Sequence, residues 1–193
     1  MPEDDRLQQI LDAAYACFTR HGVRRTTMDD IARAADMSRP AVYQYVRNKQ
    51  DAFRRLAARL LETSLNESRS AAAAQSDLTE RLTGVLEAKL RLVARLWQDS
   101  PAHAAELLAV EVRQSADVIE TYDMAMCELL TSAVTDARPD LPKAEADEVA
   151  ALLLAFTRGL ETNLSDPRVP IRRLRRGVEM FIAGLDHFPE ETA

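Results

Sequence analysis

The side chains best able to ligate a metal or to act as nucleophile and base are three histidines, His21, His103 and His187, and two cysteines, Cys17 and Cys127. They are scattered and lack the ligand spacing with cysteines or carboxylates that a metal site needs. No nucleophile stands beside an obvious base. No catalytic residue, metal or cofactor is therefore expected, although turnover that depended on His103 would reverse that reading. Each cysteine falls at a helical apolar position, which suits buried thiols in a reducing cytoplasm. The plentiful chemistry is positive charge: 10 basic and 4 acidic residues lie between Arg20 and Arg59. Such a density can neutralise nucleic-acid phosphates, and charge alone is equally compatible with a solvated basic face.

The net charge of −6 hides this asymmetry. Residues 1–60 carry 11 basic and 8 acidic side chains, while residues 61–193 carry 14 and 23. A basic N-terminal module on an acidic body can bind phosphate locally while the remainder stays soluble. At 193 residues, 47% hydrophobic and 29% charged, the chain is long enough to bury a core. No apolar run approaches the ~20 residues of a membrane span. The N-terminus, MPEDDRLQQI, is acidic where a signal peptide is basic and then apolar. A cytoplasmic location follows as the expectation.

The elements that must position these groups are helices. Leu7, Ile10, Leu11, Ala14, Tyr15 and Phe18 form one apolar stripe from about Leu7 to Arg20, and Gly22 supplies a left-handed stop. Thr27 opens a second helix with Asp30 three residues on, a capping-box pattern. Ser38 can cap a third helix, with Pro40 in its first turn, that runs to about Val46. A long fourth helix is expected over about 50–69. Further helices are expected at roughly 78–99, 102–113, 115–137, 144–164 and 170–187, punctuated by prolines. The tight turn at Asp36–Met37–Ser38 forces the second and third helices to cross steeply, with Met37 and Val42 in the angle. That is a helix-turn-helix at about 27–46, whose third helix is free to enter a major groove.

The stretch ILDAAYACFTRHGVRRTTMDDIARAADMSRPAVYQYVRNKQDAF, residues 10–53, resembles the N-terminal module of the TetR family of bacterial regulators. The resemblance implies an all-α fold: a DNA-binding domain over 1–49, and a larger helical ligand-binding and dimerisation domain over 50–193. It implies that Thr27, Tyr43 and Lys49 contact phosphates, with Arg24 and Arg25 on the DNA backbone or in a solvated loop. Arg39 suits the O6/N7 edge of guanine and Gln44 the N6/N7 edge of adenine, while Pro40 and Ala41 can pack on a thymine methyl. For Arg39 a phosphate contact stays open beside the base contact. Tyr45 contributes to packing or to a phosphate contact. Asp36 stands where the family usually has glycine, and Val46 where an aromatic is usual, a change expected to loosen packing against the first helix.

In the remaining two-thirds the resemblance implies a homodimer built on the last two helices, through Leu152, Phe156, Leu160, Leu174, Val178, Phe181 and Leu185. The same faces could instead complete a monomer core. A symmetric dimer would present two recognition helices to a near-palindromic duplex operator. A small-molecule effector is implied between the middle helices. Trp97, His103, Leu107, Val110, Arg113, Tyr122, Met126 and Phe156 are candidate liners, with Glu106 and Arg158 as further polar anchors. Aliphatic and methionine liners would suit a flexible apolar ligand. The cluster Arg172, Arg173, Arg175 and Arg176 is either a second nucleic-acid patch or a solvated or interface-rim face. A helical ligand-binding or protein-interaction module without specific DNA binding is the competing reading.

Overall fold

In the computed structural model, residues 3–74, 76–108, 115–161 and 168–185 are described. Among them the regular structure is helical throughout, the all-α class expected from sequence. The helices are α1 (Glu3–His21), α2 (Met28–Ala34), α3 (Arg39–Tyr43), α4 (Lys49–Ala72), α5 (Leu78–Asp99), α6 (Ala116–Ala137), α7 (Lys143–Leu160) and α8 (Arg168–Leu185). Residues 104–108 are helical as well.

By packing, the chain forms two compact units, Met1–Glu62 with Arg95–Thr121, and Thr63–Ala94 with Tyr122–Ala193. A division at 49/50 follows the chain, whereas packing returns residues 95–121 to the first unit. Linear sequence carries no signal for that return.

In the first unit the apolar stripe of α1 closes on α2 and α3. Ile10, Phe18, Ile31 and Val42 are fully buried, with Val46 and Phe53 nearly so. Met37 packs against this core from the turn, as expected, and Val46 is sealed at 1% exposure. The helix α1 starts at Glu3, earlier than apolar periodicity indicates. Gly22 ends α1 at φ 78°, with its N–H bonded to the Phe18 carbonyl at 2.9 Å. Asp36 takes φ 51°, a left-handed geometry that aspartate tolerates where the family usually has glycine.

The helix α3 is shorter than the run to Val46 read from sequence. Its end tightens through i→i−3 bonds, from Gln44 N–H to Ala41 O and from Tyr45 N–H to Val42 O. The helix α4 begins at Lys49, close to the start near residue 50 expected from sequence. The Asn48 side chain accepts from Asp51 N–H at 2.8 Å, and Asp51 accepts from Arg47 N–H at 2.9 Å. The helix then runs to Ala72, three residues beyond the end near residue 69 expected from sequence.

In the second unit Leu82, Leu86 and Leu90 of α5, Met126 and Leu130 of α6, Leu153 of α7 and Leu174 of α8 are buried. The helices α7 and α8 pack together, with Phe156 edge-on to Phe181 at 5.9 Å between ring centroids. One correction concerns the face assigned to a dimer. Leu174, Val178 and Leu185 are buried within the chain's own fold, at 0%, 0% and 7% exposure. Periodicity marks the residues that leave water, but does not say whether core or partner covers them. Leu152 stays open at 46% and Met180 at 64%, while Phe156, Leu160 and Phe181 are partly exposed.

Gly177 is what lets Phe156 lie on α8. A Cβ there would stand 2.3 Å from Phe156 Cε1 and 2.4 Å from Cζ, so the ring would have to leave. Alanine gains about 1 kcal/mol of helix propensity, and overpacking costs about 1–3 kcal/mol. Gly177→Ala is therefore expected to lower the urea midpoint of unfolding. A midpoint at or above the wild-type value would mean that the ring moves without cost.

Candidate nucleic-acid interface

Two threonines beginning α2 divide the local work between them. Thr26 faces inward, at 1% exposure, and its hydroxyl donates to Gly22 O at 2.8 Å and Cys17 O at 3.2 Å. Thr27 faces outward and caps α2. Its Oγ1 accepts from Asp30 N–H at 3.2 Å, while its own N–H donates to Asp30 Oδ2 at 2.9 Å. Its hydroxyl also lies 2.6 Å from Asp30 Oδ2. The hydroxyl expected on a phosphate is thus engaged as a cap in the free chain.

Those bonds from the Thr27 hydroxyl and N–H hold the Asp30 carboxyl below the usual carboxylate range. A carboxyl lowered in the folded state adds stability above its ordinary pKa of about 4 and loses it as pH falls through the folded value. Thr27→Ala is expected to cost about 1 kcal/mol near pH 7. The gap from wild type, read by urea unfolding, should narrow at pH ~3. A gap that stayed constant with pH would dissociate the cap from Asp30.

The turn at Asp36 delivers α3 with Ser38 as its cap, Oγ accepting from Ala41 N–H at 3.3 Å. Arg39, Pro40, Tyr43 and Gln44 are exposed, and Ala41 is partly so. The Arg39 guanidinium lies over the Tyr43 ring, 5.6 Å from its centroid, with Nη2 3.4 Å from the phenol oxygen. Arg39 Nη1 also meets Asp29 Oδ1 at 3.1 Å. The hydrogen bond to Tyr43 and the nearby Asp29 carboxylate raise the guanidinium pKa.

Lys49 is half-buried at the start of α4. Its ammonium donates to Thr26 O at 2.8 Å and Arg24 O at 3.1 Å, tying down the loop between α1 and α2. Two of its three donors therefore serve the loop. Arg24 and Arg25 are exposed in that loop. Tyr45 is partly buried and packs against the module's core. Thr26 and Asp29 were missed from sequence. Thr26 shares its neighbour's residue type, and Asp29 stands ten residues from Arg39, where no helical or strand period pairs them.

The residues named for an effector do not gather in one unit. Trp97, His103 and Leu107 belong to the first, and Tyr122, Met126 and Phe156 to the second. Val110 and Arg113 lie outside the described residues. Glu106 accepts the Arg24 backbone N–H at 3.0 Å, with His103 Nδ1 3.9 Å from its other oxygen. Leu107 joins the core of the N-terminal module. Tyr122 Oη pairs with Ser64 Oγ at 2.9 Å, and Arg158 with Asp123 at 2.7 Å. Four buried polar atoms, Thr83 Oγ1, Trp97 Nε1, Ser115 Oγ and Thr135 Oγ1, have no partner among the described residues. No group of three histidine, cysteine or carboxylate side chains able to hold a metal occurs among those residues. None of their helices is long and apolar enough to cross a membrane.

Comparison with known proteins agrees with this geometry. Residues 10–56 match the model of a family described as bacterial regulatory proteins, tetR family. Over 141 residues the chain is 28% identical to the HTH-type transcriptional activator FasR of Mycolicibacterium smegmatis, covering 73% of this chain and 60% of FasR. Over 46 residues it is 44% identical to the "Probable acrEF/envCD operon repressor" of Escherichia coli K12, covering 24% of this chain and 21% of that protein. The chain thus spans less than two thirds of the length of either relative. A crystal structure of the transcriptional regulator FadR from Bacillus subtilis in complex with stearoyl-CoA superimposes with a TM-score of 0.67. That match has 16% identity and covers 92% of this chain and 98% of FadR. At that identity the likeness is one of fold.

Proposed function

We propose, from the premise that this chain belongs to the tetR family of bacterial regulatory proteins, that it is a homodimeric repressor released from a near-palindromic operator by a small-molecule effector. The chain is a DNA-binding regulator of transcription and not an enzyme. The observation that carries the finer reading is the exposed start of α3, held out by a capped turn and bearing Arg39, Pro40, Ala41 and Tyr43. Arg39 and Gln44 read base edges, and Pro40 and Ala41 pack on thymine methyls. Tyr43, Arg24 and Arg25 contact the DNA backbone. Thr27 and Lys49 approach it while holding the α1–α2 loop and the start of α2 in shape.

The dimer uses what α7 and α8 leave open, Leu152, Phe156, Leu160 and Phe181, joined by Met180. Two recognition helices then lie about 34–36 Å apart, one turn of DNA. The effector reading draws on the candidate liners that fall in the second unit, Tyr122, Met126 and Phe156. It is supported too by the fold shared with an acyl-CoA-bound regulator. Release works by differential affinity: an effector that fits only the conformation unable to bind DNA shifts the population away from the operator.

Selection from a random duplex pool should return a two-fold symmetric motif, and mobility shifts on it should weaken steeply with salt. Equal affinity for every duplex would overturn specific regulation, and a monomer by sedimentation would overturn the dimer. A reporter fused to the selected operator decides the sign of regulation. Rising expression on addition of the regulator would make it an activator, as FasR is named.

A further inference from the structure

Arg39 occupies the first position of α3, where a cation opposes the helix dipole, and no acidic residue lies in that helix's first turn to offset it. The offset comes from a different helix. Asp29, in the first turn of α2, meets Arg39 Nη1 at 3.1 Å through Oδ1 and at 3.4 Å through Oδ2. Both side chains are 56% exposed, and an ion pair so placed adds little to stability. A carboxylate on a face that meets phosphates also weakens binding to any duplex. On raw affinity, then, Asp29 has no evident advantage, and on stability it has only the modest one of any acidic residue in a helix's first turn.

Its geometric effect is on the guanidinium. Asp29 holds Nη1, the Tyr43 phenol lies 3.4 Å from Nη2, and the ring lies beneath the plane. An unrestrained arginine can swing to the nearest phosphate, whereas bidentate recognition of guanine requires the fork at one angle. We infer that Asp29 is a positioning residue for specificity, holding Arg39 on Tyr43 so that its free N–H edge reads a base and not a phosphate. This inference rests on the DNA-binding role proposed above.

The test is selection from a random duplex pool by the full-length wild type, Asp29→Ala, Asp29→Asn, Arg39→Ala and the Asp29→Ala/Arg39→Ala double variant. Arg39→Ala should erase preference at one base pair in each half-site. Asp29→Ala should weaken preference at that same pair about 5- to 10-fold and leave the other positions unchanged. It should also raise affinity for an unrelated duplex about two- to fivefold by removing a negative charge. Asp29→Asn, which keeps an acceptor oxygen, should restore part of the preference, and the double variant should lose no more at that pair than Arg39→Ala alone. Unchanged melting temperatures would confirm that folding is not the cause. Full preference in Asp29→Ala at the pair lost in Arg39→Ala, or an equal loss at every position, overturns the inference and leaves the regulator intact. A wild type that selects no motif overturns the regulator as well.

Discussion

Replacing Phe18 by alanine is expected to destabilise the N-terminal module by about 3–5 kcal/mol, measured as a fall in the urea midpoint of its unfolding. Phe18 is fully buried on the inner stripe of α1 and stacks edge-on with Phe53 of α4, 5.6 Å between centroids. Its removal opens a cavity among Ile10, Ile31 and Val42, residues of the same closed core. It also forfeits the aromatic pair, about 0.5–1.5 kcal/mol beyond simple burial. Domains hold roughly 5–15 kcal/mol in total, so the loss removes much of the module's margin. Operator binding should fail at a lower temperature than in the wild type. Leu152→Ala, at a position 46% exposed in the single chain, serves as the contrast and should move the midpoint of the N-terminal module little. A wild-type midpoint for Phe18→Ala would refute the core assignment.

Arg39→Ala has the opposite signature, with an intact fold and lost recognition. The side chain is exposed and its ion pair with Asp29 lies at the surface, so unfolding should barely change. A bidentate base contact discriminates by about 1–3 kcal/mol, roughly 5- to 150-fold per half-site. In a dimer both half-sites lose it, and the selected operator should bind at least about 25-fold more weakly. Tyr43→Phe removes the phenol oxygen that meets Arg39 and that is proposed to contact the DNA backbone. A smaller, sequence-independent loss is expected there, with the salt dependence unchanged because the phenol carries no charge. Mobility shifts of both variants on operator and unrelated duplex separate the two effects. Equal losses on both duplexes for Arg39→Ala would assign it to phosphate. Loss of dimer or effector binding in either variant would point to misfolding instead.

Much of the first unit is legible in the sequence. The stripe from Leu7 to Phe18, the stop at Gly22, the caps at Thr27 and Ser38 and the left-handed Asp36 are decided by residue types within a few positions of one another. Helix ends were legible less well. The tightening after Tyr43 and the Asn48–Asp51 cap depend on bonds that periodicity does not count. The exposed residues of α3 divide in the same way. Their positions on the recognition helix followed from the local pattern, whereas their partners did not.

By itself the sequence determined an all-helical chain, a helix-turn-helix with its exposed face, and a basic module joined to an acidic body. These follow from short-range steric, capping and charge preferences that each residue carries with it. Tertiary structure alone decided that residues 95–121 pack with the N-terminal module, that Leu174, Val178 and Leu185 belong to the chain's own core, and that Lys49 ties down the α1–α2 loop. It also decided that Asp29 is the residue beside Arg39. Each of these is a contact between segments distant in sequence. Such contacts arise only when the chain buries its apolar faces against particular neighbours, and no local preference specifies which neighbour that is.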